Sequence, residues 1–256
     1  MSACALVGDI AKACPALLAH KAADIAPLLV QCLRPASVYM CTNAAWSLSE
    51  LCVAEGLHEA VRPVVVGLVP RLAALAADDS GVETLKLNVA MALGRLAMVF
   101  PAEVSPLAPS FVPAWMPHLQ LLATECVARS RMWLTAWLVH PPPPPCVPPP
   151  HAIMCGRRIC VLRHRRHETQ GTTDAFQGIL ELLRRNPAAI MPHFATICEA
   201  MVWCGFDAPS NMQAVHRELV AAFRESAGAA WPDAVATLTA GSYGFLATRY
   251  DLVPQE

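Results

Sequence analysis

Asn43, Trp46 and Glu50 stand at i, i+3 and i+7 in "CTNAAWSLSELC", and Asn88, Met91 and Arg95 repeat that spacing in "LNVAMALGRL". At about 100° per residue, each set lies along one helix face. The apolar stripes Ala45, Leu48, Leu51, Cys52 and Ala90, Leu93, Leu96, Ala97 take the opposite faces. These residue types make contacts, not bonds. A carboxamide offers donor and acceptor together to an extended backbone. An indole supplies a rigid surface for an apolar or Pro-containing segment, and a carboxylate attracts basic groups. Two readings stand side by side: Trp46 packs against a neighbouring repeat, or it anchors a ligand.

Other candidates for chemistry are weaker. His151, Cys155, Cys160 and His164 have the residue types of a zinc site at loosely suitable spacing, but the paired CxxC of strong zinc signatures is absent, and no metal is assigned. Arg157, Arg158, Arg163, Arg165 and Arg166 form a cluster that could bind nucleic acid or act as a localisation signal; a plain basic loop is the preferred reading. No GxSxG, P-loop or metalloprotease motif occurs, and nothing orders a Cys/His nucleophile pair. An enzyme is not expected, and no cofactor is implied.

The elements that must position the Asn and Trp residues come from a repeat. Four helix ends are alike: "VGDIAKACP", "LSELCVAEG", "LGRLAMVFP" and "ILELLRRNP". Each closes on a Pro or Gly, which stops or caps a helix. Their equivalent residues Ile10, Leu51, Leu96 and Leu182 are 41, 45 and 86 residues apart. A period in the low forties with two helices per unit is the HEAT signature. Partner helices are predicted near 25–34, 61–77, 104–122 and 188–204, with further ones at 210–227 and 233–249. Pro63, Pro70, Pro106, Pro109 and Pro113 should delay or kink some of them. Asp78, Asp79, Ser80 and Gly81 read as a turn, and Arg184 and Arg185 suit a helix C-terminus. Strand signals are poor, so the expected fold is an all-α HEAT solenoid of about four to five repeats.

The 86-residue interval hides a degenerate repeat or holds one repeat with an insertion. Residues 125–168 favour the second: they contain "HPPPPPCVPPPH" and "RRICVLRHRRH", and removing them leaves a normal interval. Polyproline forms an extended rod, not a helix. The domains expected are therefore HEAT repeats at 1–124 and 169–256 around a disordered Pro-rich and basic insertion at 125–168, of the kind an unspliced intron would leave.

Composition agrees with a helical, well-buried chain: 55% hydrophobic residues over 256 positions, with a net charge of −1 and a mean hydropathy of +0.40. The charge balance gives no support for direct nucleic-acid binding. The 11 cysteines are scattered without a CxxC pair, as reduced, mostly buried thiols would be. The N-terminus makes a poor signal peptide. Charges and prolines interrupt the apolar runs near 61–77 and 104–124, so no bilayer span is expected.

"SACALVGDIAKAC", "CTNAAWSLSELCVAEG", "TLKLNVAMALGRLAMVFPAEVSPL" and "DAFQGILELLRRNP" resemble the C-terminal part of the transportins, the karyopherin-β2 nuclear import receptors of the importin-β superfamily. The resemblance extends weakly through "FATICEAMVWC" and covers nearly everything but 125–168. It implies a fragment of a carrier that holds cargo in a concave HEAT groove, by an extended basic signal ending in a Pro-Tyr pair. By motif position Trp46 is similar to the tryptophan that packs on the signal, and Asn43 and Asn88 to asparagines that contact its backbone. Glu50 beside them would attract basic cargo, an inference from charge. Met91, Arg95 and Trp203 are further candidates. The resemblance also implies FG nucleoporins as partners, shuttling between cytoplasm and nucleus, and no membrane. The N-terminal arch that binds Ran-GTP and the acidic loop that couples it to cargo release are not in this stretch. Transportins are markedly acidic, and this chain is not. The runner-up is a generic HEAT scaffold for protein assembly, such as a phosphatase-type regulatory subunit.

Overall fold

The computed structural model describes residues 2–34, 36–78, 81–139, 157–205 and 208–252, the side chains of 124–139 and 157–169 excepted. Among the described residues every regular element is helical. Thirteen α-helices follow in order: α1 Ala3–Ala13, α2 Ala22–Cys32, α3 Val38–Val53, α4 His58–Ala77, α5 Glu83–Val99, α6 Pro101–Val104, α7 Ala108–Val139, α8 Arg157–Arg185, α9 Pro187–Ile190, α10 Phe194–Gly205, α11 Ser210–Ala227, α12 Trp231–Ala236 and α13 Ala240–Tyr250. Helices α1, α3, α5, α8 and α11 stack side by side as a first layer, and α2, α4, α7, α10 and α13 as a second. The molecule is an all-α HEAT-type solenoid.

Local chemistry explains the helix ends. The Ser2 hydroxyl caps α1 by accepting from Ala5 N at 3.2 Å, and Thr239 caps α13 by accepting from Ser242 N at 3.2 Å; each satisfies an amide that the first turn leaves free. Gly56 and Gly228 adopt φ of +81° and +52° after α3 and α11, where a side chain would be strained. The Gly81 N–H donates to Asp78 O at 3.2 Å and closes the predicted turn; Asp79 and Ser80 lie outside the described residues. Arg184 sits in the last turn of α8, as expected, and its guanidinium also reaches Glu218 on α11 at 2.9 Å.

The prolines act at two kinds of place. Pro27, Pro63, Pro70, Pro113 and Pro117 lie inside helices, and all five are exposed. On that face, water can take the carbonyl hydrogen bond that a proline cannot donate to, so α4 and α7 continue through their prolines; the expected late start is seen at α7, which begins at Ala108. Pro101 opens α6, and the 3₁₀ turn Ser105–Leu107 containing Pro106 leads into α7. Pro187, α9 and the 3₁₀ turn Met191–His193 containing Pro192 repeat that plan before α10. The two punctuation patterns are 86 residues apart, like Leu96 and Leu182.

That long interval spans one structural step, because α5 packs directly on α8. A Cβ at Gly94 would fall 2.5 Å from Ala175 Cα, and one at Gly178 would fall 2.9 Å from the Gly94 carbonyl carbon. Small residues let these two backbones approach more closely than any larger side chain would allow. The chain between them leaves the stack through α7 and returns through α8. Its backbone is helical over 125–139 and 157–168, where disorder was expected. The 125–139 stretch has no proline before Pro141 and is rich in residues that fit a helix. Residues 140–156, with the polyproline run, His151 and Cys155, lie outside the described residues, as do the side chains of Cys160, His164 and the arginine cluster.

The core is continuous along the stack. Trp115 and Phe111 of α7, Phe176 of α8 and Phe223 of α11 are fully buried. Buried polar atoms tie the helices together: Trp115 Nε1 donates to Ala90 O at 3.1 Å across the two layers, and His118 Nε2 lies 2.8 Å from Ala76 O within the second. Among the described residues two stretches, His58–Ala77 and Pro187–Gly205, are long and apolar enough to cross a membrane by length and composition; the first contains the 61–77 run, for which no span was expected. In the solenoid one face of each turns to the core: Val61, Val65, Leu68 and Leu72 of α4 and Ile197, Cys198 and Met201 of α10 are buried, while Val66 and Trp203 are exposed. The Arg62 guanidinium pairs with Glu59 and Glu103, and Arg71 donates to Val30 O.

Candidate functional site

Counted from Ile10, Leu51, Leu96 and Leu182, the first-layer helices carry three registers. Ser2, Asn43, Asn88 and Asp174 share the first; Ala5, Trp46, Met91 and Gln177 the second; Asp9, Glu50, Arg95 and Glu181 the third. The helix period brings each register to neighbouring positions on α1, α3, α5 and α8.

The asparagines of the first register tie repeats together. Asn43 Nδ2 donates to Ser2 Oγ at 3.0 Å, and Asn88 Nδ2 donates to Thr42 O at 3.1 Å. Each side chain is half-buried, and neither Oδ1 has a protein partner among the described residues. Ser47 Oγ adds a bond to the carbonyl of Cys4.

In the second register the Trp46 indole is half-buried and lies over Gly8 of α1. A Cβ at Gly8 would come within 2.7 Å of Cε3, so only glycine seats the ring there. The indole therefore packs on the neighbouring repeat, as the first reading of Trp46 expects, while the residue stays partly accessible. Met91, also half-buried, leans the other way and places its sulfur against Gly171 of α8.

Glu50 and Arg95 of the third register close into a buried ion triad with Asp174 of the first. Arg95 Nη1 donates to Glu50 Oε1 at 2.9 Å and to Ser49 Oγ at 2.9 Å, while Nε donates to Asp174 Oδ2 at 2.8 Å. Gln170 Nε2 bonds the other oxygen of Asp174 at 2.7 Å. Burial alone would lower the Arg95 pKa, but the Glu50 and Asp174 carboxylates outweigh it and the guanidinium is held more firmly charged. Glu50, read from the sequence as an open carboxylate for basic cargo, is 8% exposed and spends its charge on Arg95. Asp9 is the exposed acid in this register.

Trp203 is 53% exposed but sits on α10 in the second layer, so the structure does not bring it to Trp46. Sequence reading passed over Asp174, Ser2, Gly8 and Gly171. Their signal was available, since the 86-residue step places Asp174 in register with Asn88. Among the described residues, no group of three or more His, Cys, Asp or Glu is arranged to hold a metal ion.

No family model matches the chain. It is 31% identical over 119 residues to "Transportin-1" of Homo sapiens and of Mus musculus, covering 46% of this chain and 13% of the relative. It is 22% identical over 230 residues to "Transportin" of Dictyostelium discoideum, covering 90% of this chain and 20% of that protein. A fourth match, "Transportin-1" of Oryza sativa subsp. japonica, is 30% identical over 129 residues. The chain thus spans a fifth or less of the relatives named with their coverage. These distant, partial matches support a relationship to the importin-β family of nuclear import receptors.

Proposed function

We propose that this chain is a cargo-recognising stretch of a nuclear import receptor, and that its first layer takes an extended nuclear-localisation signal of the Pro-Tyr type. The observation that carries this reading is the half-exposed Trp46 indole, flanked by Asn43 and Asn88 whose Oδ1 atoms are unpartnered. An extended peptide can donate its backbone N–H groups to those oxygens and lay a Pro or Tyr ring on the indole. Asp9 supplies the accessible negative charge for basic cargo, and Glu50 and Arg95 hold the helices that present the row. Trp203, in the other layer, has no part in this site.

The chain would do no bond chemistry. It would shuttle between cytoplasm and nucleus as part of a receptor whose intact form also meets FG nucleoporins and Ran-GTP. Titration of a labelled basic peptide ending in Pro-Tyr tests the reading. A central aromatic anchor typically contributes about 2 kcal/mol or more, so Trp46→Ala should weaken binding by more than about tenfold. Equal affinity for Trp46→Ala and the parent chain counts against it.

A scaffold for assembling other proteins is the second reading. It is favoured by the use of Asn43, Asn88, Glu50 and Arg95 as ties between repeats. Affinity capture separates the two: signal-bearing basic proteins for a carrier, a stable enzyme complex for a scaffold.

A further inference from the structure

Tyr39 stands four residues before Asn43 and seven before Trp46 on α3, so the three share one stripe of that helix. Its ring is 71% exposed and makes no hydrogen bond or ring contact among the described residues. A single exposed aromatic is ordinary; the register of this one is what counts. The same step back from Asn88 and Asp174 reaches Thr84 on α5 and Gln170 on α8, both exposed and both polar. The aromatic of this register therefore falls on the helix that carries Trp46. Asn43 lies between the two rings, about 6 Å along the axis from Tyr39 and about 4.5 Å from Trp46 at the helical rise per residue.

We propose that Tyr39 is the second wall of the peptide site, and that the row reads the Pro-Tyr pair of a signal on two sides at once, the proline on Trp46 and the tyrosine on Tyr39. The proposal rests on the carrier reading above. The alternation of an extended chain carries it. When such a chain turns an N–H down to the Asn43 Oδ1, its side chains lie to left and right in turn. One side chain then meets the indole, and its neighbour meets Tyr39.

Chemistry decides which takes which. Trp46 is half-buried and seated on Gly8 of the neighbouring helix. A wall set into the stack suits proline, whose side chain is apolar throughout. Tyr39 stands in water, so a cargo tyrosine can stack one ring face there and keep its hydroxyl solvated. Proline has no N–H to give, so the amide held at Asn43 is that of the tyrosine. Neither member of the pair is basic. Their contacts need no free acid, in keeping with Glu50 being paired to Arg95.

Fluorescence anisotropy with labelled peptides on the full chain tests this. Three peptides differ only at the pair: Pro-Tyr, Pro-Ala and Ala-Tyr. The contribution of an aromatic pair converts to about two- to tenfold in affinity. Tyr39→Ala should weaken Pro-Tyr binding on that scale and leave Pro-Ala binding unchanged. Tyr39→Phe, which keeps the ring, should bind Pro-Tyr like the parent. Trp46→Ala should lose the preference for Pro-Tyr over Ala-Tyr. Circular dichroism confirms that each variant is folded. Equal affinity of Tyr39→Ala and the parent for Pro-Tyr, or an equal loss with Pro-Ala, overturns the proposal, while binding that still depends on Trp46 leaves the carrier reading standing. A parent chain without Trp46-dependent binding overturns both.

Discussion

Arg95 of α5 donates to Glu50 of α3 at 2.9 Å, with both side chains shut away from water. The same guanidinium holds Asp174 of α8 at 2.8 Å, so one cation spans three consecutive first-layer helices. Two carboxylates share one positive charge. Removing that charge leaves two buried anions without a counter-charge. Losing one partner of a buried pair typically costs about 3–5 kcal/mol. Arg95→Met should therefore lower the urea midpoint steeply, whereas Glu50→Gln, which leaves one acid opposite Arg95, should cost less. A loss under about 1 kcal/mol for Arg95→Met in equilibrium unfolding would show that the triad contributes little.

The α5–α8 contact makes a steric prediction. A methyl at Gly178 would meet the Gly94 carbonyl, which is backbone and cannot swing aside. Overpacking of this kind costs about 1–3 kcal/mol. Gly178→Ala should destabilise the chain by that amount or more, read by thermal unfolding. Gly241→Ala, with nothing within reach of its Cβ, is the control and should change little.

His216 makes a prediction about pH. Its ring is fully buried against Phe176 and Tyr250, with Nδ1 3.1 Å from the Tyr250 hydroxyl and no partner for Nε2 among the described residues. Burial first, and the Arg249 charge second, push its pKa down to about 3. The folded state therefore keeps the ring neutral, while the unfolded chain takes a proton below about pH 6.5. The sign follows: stability is whole above pH 6.5 and falls as pH drops from there towards 3, by up to about 1.4 kcal/mol per unit. Denaturant unfolding at a series of pH values should show this slope, and His216→Gln should flatten it. An unchanged slope in the variant would assign the acid sensitivity to other groups.

The repeat and both helix layers were legible because Pro and Gly stops recur at nearly constant spacing, and because one stripe of each helix is apolar. The partners of the polar residues were not. A helical face shows that Glu50 and Arg95 point the same way from their own axes, but which neighbour answers each charge depends on how helices 45 residues apart stack. Trp203 enters through the family resemblance, whereas periodicity already puts its helix, 188–204, among the partner helices, the layer where the structure has it.

The seat of Trp46 gives the sharpest test of the row. The ring occupies the space that a Gly8 methyl would need, with Cε3 at 2.7 Å and Ser47 Oγ at 2.9 Å from that position. Gly8→Ala must push the indole outward or lift α1 from α3, at a cost of about 1–3 kcal/mol. Shrinking the obstacle should undo part of the damage. In Gly8→Ala with Trp46→Leu, the two losses should fall short of additivity by about 1 kcal/mol, the scale of coupling between residues in contact. The cycle is read from urea unfolding of the parent, both single variants and the double variant. Strict additivity would mean that the indole does not rest on Gly8, and the half-exposed anchor of the proposed peptide site would lose its footing.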